Sequence, residues 1–74
     1  MSTTATYTVS GMTCDHCVAA VTEEVSKLRG VAAVGVDLVA GGESTVTVSS
    51  DSPLPESDVR DAVDEAGYDL TGVA

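Results

Sequence analysis

The chain has 74 residues, a formal net charge of −9 and 43% hydrophobic residues. That length holds one compact unit and excludes a second domain, and a unit this small buries only about 60% of its unfolded surface, which excludes a large internal substrate cavity. Twelve acidic residues against three basic ones repel phosphate backbones and anionic lipid headgroups, arguing against nucleic acid and membrane surfaces as partners.

With no Phe or Trp and only Tyr7 and Tyr68 as aromatics, thirteen valines and nine alanines must build the core, and β-branched side chains favour strands. Ala5 to Ser10 alternates apolar and polar residues, the period of a strand with one buried face, and Gly11 ends it. From Val18 the apolar positions Val18, Val21, Val25 and Leu28 recur at helical spacing, with Gly30 expected as the C-terminal cap. Val34, Val36 and Leu38 alternate, Ala40 to Glu43 make a turn, and Thr45 to Val48 resume the alternation, which predicts a hairpin. Asp51 to Pro55 breaks the strand, and Pro55 suits the first turn of a second helix. Its apolar stripe is Val59, Ala62, Val63 and Ala66, its cap Gly67, and a last short strand runs from Leu70 to Val73. The order predicts an α+β, ferredoxin-like βαββαβ domain over residues 1–74, with an ordered core from about residue 4 to 73. Both helices are expected on one face of a four-stranded antiparallel sheet. No basic leader with an apolar segment opens the chain, and no apolar run approaches the roughly 20 residues of a membrane helix. The expectation is therefore a cytoplasmic protein without membrane insertion, whose two cysteines are free thiols.

Those cysteines lie in Gly11-Met12-Thr13-Cys14-Asp15-His16-Cys17, the junction of the first strand and first helix. Residues three apart around a helix start face one side, so Cys14 in the loop and Cys17 in the first turn can converge on one ion. Unpaired amide donors and the positive end of the helix dipole stabilise thiolates there. Soft thiolates select Cu(I), Zn(II) and related metals over calcium or magnesium. A structural zinc site normally takes four protein ligands, and this chain has two Cys and one His. Cu(I) is satisfied by two sulfurs and leaves a flank open to an incoming thiolate.

The seven-residue motif, the two-half topology and the ending Ala66-Gly67-Tyr68 together resemble the heavy-metal-associated (HMA) domain, most nearly its small bacterial copper chaperones of the CopZ type. The resemblance extends from Thr4 to about Val73. It implies Cu(I) bound by Cys14 and Cys17 and delivered to the metal-binding domain of a copper-transporting P-type ATPase, with a copper-sensing repressor as a second candidate recipient. Zinc-selective members tend to carry an acidic residue just before the first cysteine, where this chain has Thr13, so the resemblance favours copper.

Around the pair, Met12 continues the strand's apolar alternation and is read as a core plug beneath the loop, not a thioether ligand. Asp15 is read as a first-turn residue favoured by the helix dipole. His16 stays open between a third ligand, a modulating contact, including one at a copper-bridged homodimer, and simple solvation. The resemblance places Tyr68 beside the metal loop, where it would shield the ion or orient a sulfur; the alternative is a core tyrosine with a wet hydroxyl. A Cu(I) carrier that is not an enzyme is the leading function, since nothing near the pair performs bond-making chemistry. The competing readings are a thiol-disulfide oxidoreductase, and a zinc, cadmium or mercury binder of the same fold. The first is disfavoured by the short chain, by Asp-His between the cysteines and by the lack of Trp.

Overall fold

Strand β1, Thr3–Ser10, turns Tyr7 and Val9 into the core and runs through the middle of the sheet. In the computed structural model, which describes residues 3–73, β1 pairs along its whole length with β3, Glu43–Ser50, from Thr3 opposite Ser50 to Ser10 opposite Glu43. On its other side it pairs with β4, Asp69–Val73, and β3 pairs outward with β2, Val31–Asp37. The sheet order is β2-β3-β1-β4 with every pairing antiparallel. Alternation explains the burial. Ser44, Val46, Val48 and Ser50 of β3 are buried, while Thr45 and Thr47 take the opposite parity and the opposite face.

Helix α1, Asp15–Ser26, buries Cys17, Val21 and Val25; helix α2, Glu56–Ala66, buries Val59, Ala62 and Val63. These six join Tyr7, Val9, Met12, Val46 and Val48 in one cluster. Both helices therefore cover the same sheet face, as the sequence predicts. Burying each valine contributes on the order of 1.5–3 kcal/mol, so the absence of large aromatics from the helices is compensated by the number of small, fully enclosed side chains.

Four local features differ from the sequence reading. Val18 is only half-buried, and the α1 stripe starts one residue earlier at Cys17, giving Cys17, Val21 and Val25 at intervals of four. The helix ends at Ser26 with Lys27 as its cap, because the N–H groups of Lys27 and Leu28 tighten to the carbonyls of Glu24 and Val25 three residues back. Gly30 instead serves the following turn, closed by Val31 N–H on Leu28 C=O at 3.3 Å, where its φ of 88° needs glycine. Pro55 stands just outside α2 as its extended N-cap, its carbonyl accepting from Asp58 N–H at 3.0 Å. In β2, the residues Val31 and Ala33 oppose the consecutive Ser50 and Ser49. That bulge changes the parity, so Val31, Val34 and Val36 all pack on the core.

One consequence of the register locates the site. Ser10 pairs with both Glu43 and Asp69, so the β1–α1 loop, the β2–β3 loop and the α2–β4 turn gather at one end of the molecule. The last of these turns depends on Gly67, the C-cap, with φ 95° and no atom within 4 Å of where a Cβ would stand. The Gly67→Ala substitution is expected to destabilise the fold by about 1–2 kcal/mol through backbone strain alone. Gly35→Ala, on β2 with ordinary φ and equally open surroundings, is expected to be neutral or stabilising by up to about 1 kcal/mol. Urea denaturation midpoints of the two variants check this, and equal losses would contradict it.

Candidate metal centre

Gly11 follows β1 in the left-handed region, φ 93°, and a Cβ on it would lie 3.5 Å from Tyr68 Cδ1. A side chain here would meet a strained backbone, and the Tyr68 ring lies at ordinary van der Waals distance from that position. Met12 comes next and is fully buried within the core cluster, which anchors the loop from below. Thr13 and Cys14 are exposed.

Cys14 is the N-cap of α1, with extended backbone (φ −158°, ψ 176°). Its carbonyl accepts the N–H groups of Cys17 at 3.0 Å and Val18 at 3.3 Å. Its side chain makes no capping hydrogen bond, unlike the Ser, Thr, Asp or Asn usually found there, and the sulfur remains available. Cys17, the third helical residue, is 8% exposed. The two Sγ atoms are 3.7 Å apart, and Thr13 Oγ1 stands 3.8 Å from Cys17 Sγ. Both cysteines are free thiols. Metal–sulfur bonds of about 2.3 Å allow two sulfurs on one ion to stand at most about 4.6 Å apart, so the observed separation lies within reach of a single soft cation.

The Cys17 pKa is lowered to about 6, first by the Thr13 backbone amide and then by the Tyr68 hydroxyl. Burial opposes the shift, while the Cys14 amide and the Thr13 hydroxyl add to it. All four donors are neutral dipoles that favour the thiolate. The converse appears at Tyr68, whose phenol is raised above its ordinary value, chiefly because its proton is held by Cys17, with burial and the charges of Cys17 and Cys14 adding to this.

The remaining sequence-predicted residues divide clearly. Asp15 and His16 are exposed on the first turn of α1. Among the described residues no three His, Cys, Asp or Glu side chains are gathered to hold a metal, so His16 is not assembled with the two sulfurs and a four-ligand zinc centre is not present. Thr13 is brought to Cys17, while Tyr68 lies against the loop at Gly11 and acts on the Cys17 sulfur through its effect on the thiol's pKa. Sequence reasoning missed two parts of this arrangement. One is Gly11, read only as a strand terminator, which leads β1 into the cysteine loop through a left-handed conformation. The other is Cys17 itself as a core residue, visible in retrospect from its spacing of four to Val21.

The family model described as "Heavy-metal-associated domain" matches residues 6–69. The chain is 46% identical over 66 residues to the copper chaperone CopZ of Bacillus subtilis, covering 88% of this chain and 91% of that protein. A solved CopZ metallochaperone superimposes with a TM-score of 0.80 at 33% identity, covering 93% of this chain and all of that one. The N-terminal domain of a potential copper-translocating P-type ATPase from Bacillus subtilis, solved in its Cu(I)-loaded state, gives 0.77 at 32% identity, with coverage of 100% and 92%. Fold, motif context and these likenesses agree, and the chain belongs to the heavy-metal-associated domain family.

Proposed function

We propose that this protein is a cytoplasmic Cu(I) metallochaperone that holds one ion between Cys14 and Cys17 and passes it by ligand exchange to the metal-binding domain of a copper-transporting P-type ATPase. The observation that carries the reading is the pair of sulfurs 3.7 Å apart, one exposed and one buried, at a strand-to-helix junction that gathers no third ligand group among the described residues. Two soft donors satisfy Cu(I) and leave zinc short of ligands. Support also comes from relatives named as copper chaperones and from the likeness to a Cu(I)-loaded ATPase domain. Among the described residues no helix is long and apolar enough to cross a membrane, in keeping with a diffusible carrier. A copper-sensing repressor with free cysteines is a recipient of the same chemistry.

Transfer begins when a thiolate of the recipient attacks the open flank of the ion. A three-sulfur intermediate forms, and one protein sulfur then leaves. Thr13 and Tyr68 act by keeping Cys17 unprotonated between exchanges, so that the ion does not compete with a proton for that sulfur. No group positioned to make or break covalent bonds in a substrate is needed, so the reading is that of a binding protein and not an enzyme.

Anaerobic competition against a Cu(I)-selective chelator is expected to show one ion per chain for the native protein and loss of tight uptake in Cys14→Ser and in Cys17→Ser. Retention in the double variant would refute the site, and preferential uptake of zinc, cadmium or mercury would refute the metal. Turnover in an insulin-reduction assay would instead favour an oxidoreductase.

The thiol's position between folded and unfolded states sets a pH dependence. A Cys17 pKa near 6 in the fold, against about 8.5 for a free cysteine, means that folding favours the thiolate. The associated stability is fully present above about pH 8.5 and is lost as pH falls through about 6. Urea midpoints of the metal-free protein are therefore expected to rise across that window, and the rise to vanish in Cys17→Ser. Alkylation of Cys17 is expected to titrate near pH 6, and near a higher pH in Tyr68→Phe, which lacks the hydroxyl donor; an unchanged curve would remove Tyr68 from this role.

A further inference from the structure

The sheet has two open edges, β2 and β4, and they are not alike. Strand β4 has five residues, and its register with β1 shifts between Thr8 and Val9. Shortness and a bulge both blunt an edge against other chains. Strand β2 has seven residues, and past its own bulge residues 33–37 pair in unbroken register with β3. That run holds no proline and no lysine, and its single charge is Asp37 at the end. The exposed residues Ala32, Ala33 and Gly35 are small, so another backbone can come close. On either side of the run the chain satisfies itself: Val31 N–H donates to Leu28 C=O at 3.3 Å, and Val39 N–H to Ser44 Oγ at 2.9 Å. Between them no turn or further strand reaches the outer edge of β2 among the described residues. The charges flanking this edge are of opposite sign. Lys27 and Arg60 are engaged by Glu24 and Glu56, whereas Arg29, just before β2, and Asp37, at its end, are exposed and form no salt bridge among the described residues.

We propose that β2 is the seam of a homodimer, in which two copies of this chain pair their β2 edges antiparallel about a two-fold axis and join two sheets into one. Antiparallel pairing sets the start of each strand beside the end of the other. Arg29 of one protomer then comes alongside Asp37 of the other, twice by symmetry. Parallel pairing would instead set Arg29 beside Arg29 and Asp37 beside Asp37, and like charges facing across strands are unfavourable. The edge itself supplies unpaired N–H and C=O groups, the usual basis for adding a strand to a sheet. Over the rest of the surface, two copies with a net charge of −9 each repel. At physiological ionic strength the Debye length is about 8 Å, so in a body 34 Å long the more distant carboxylates are screened while groups touching at the seam are not. A joint one strand wide falls below the roughly 1,200 Å² of a standard interface, so the association is weak and reversible. The β2–β3 loop lies at the cysteine end, so the two-fold axis points the two Cys14 thiols in opposite directions and leaves both open. No metal takes part in the seam, and the inference therefore stands apart from the copper-carrier reading.

The test uses the full chain, metal-free and reduced, at physiological ionic strength. Sedimentation up to about 1 mM chain, the range of weak contacts, is expected to show a dimer fraction that rises with concentration. The rise should be the same in Cys14→Ser, which removes the exposed thiol and with it any copper bridge or intermolecular disulfide. Amide hydrogen exchange should slow with concentration within residues 33–37 and stay unchanged in β4. Arg29→Asp and Asp37→Arg, made singly, each set like charges together and should weaken association at least about fivefold. The combined Arg29→Asp, Asp37→Arg variant keeps the native net charge, restores opposite neighbours and should recover the native association. Gly35→Lys, at a position with nothing within 4 Å of its Cβ, should abolish the dimer without lowering the urea midpoint. A monomer throughout the range, or a dimer that requires copper or Cys14, would overturn the seam. So would concentration-dependent protection that spares β2, or a combined variant that associates no better than the single ones. Copper uptake from a chelator is indifferent to all of these outcomes, so the carrier reading and the seam fail separately.

Discussion

The Cys17 sulfur answers to two demands at once. Its residue heads the stripe Cys17, Val21 and Val25 that seats α1 on the sheet, so its place is fixed by the packing that holds the domain together. Burial there disfavours a charged sulfur, yet the thiol's pKa falls to about 6 through the Thr13 amide first and then the Tyr68 hydroxyl, with the Cys14 amide and the Thr13 hydroxyl adding to the shift. Donors thus outweigh desolvation. They reach Cys17 from the adjoining loop before α1 and from the turn before β4. Two glycines in left-handed conformation turn the chain at these points. Gly11 leads β1 into the loop, and Gly67 turns the chain out of α2 so that Tyr68 follows directly.

The second sulfur is held quite differently. Cys14 is fixed through its backbone, as the residue whose carbonyl starts the helix, while its side chain makes no capping bond and faces solvent. A resident structural metal would want four such donors, all closed. A site made of one packed sulfur and one free one is better matched to a cargo that has to leave. In the proposed carrier the packed sulfur would keep the geometry between exchanges, and the free one would swing as a third sulfur arrives. No rearrangement of the core is required for that, because Met12 beneath the loop and Cys17 beside it stay within the enclosed cluster.

Much of this was legible in the chain because the relevant signals are local. Alternation in Tyr7 and Val9, in Val46 and Val48, and the helical spacing of Val59, Ala62 and Val63 specify which face each element buries. The strand-to-helix position of the cysteine motif follows from the same periodicities. What escaped depends on parity and on distance. The bulge between Val31 and Ala33 adds Val31 to the core beside the alternating Val34, Val36 and Leu38 and leaves no composition signature. Gly30 resembles a helix cap in sequence, but the last turn of α1 tightens three residues sooner and hands the glycine to the next turn. Val18 and Cys17 are adjacent and both apolar enough for a core, so only the tertiary seat of the helix decides between them. The Tyr68 hydroxyl acts on a sulfur 51 positions earlier in the chain, a relation the resemblance to a family suggested and local spacing could not.

Thiolates are commonly stabilised by a neighbouring lysine, arginine or protonated histidine. At Cys17 the stabilising groups are all neutral, and this has a consequence for the whole surface. A cation used to charge the sulfur would also set the sign of the surface around it and tie metal chemistry to partner choice. Amide and hydroxyl dipoles act over a bond length or two and contribute no net charge, so the thiolate persists at an end crowded with carboxylates. In the proposed carrier, grip on a soft cation would rest on short-range, partly buried dipoles that salt barely screens.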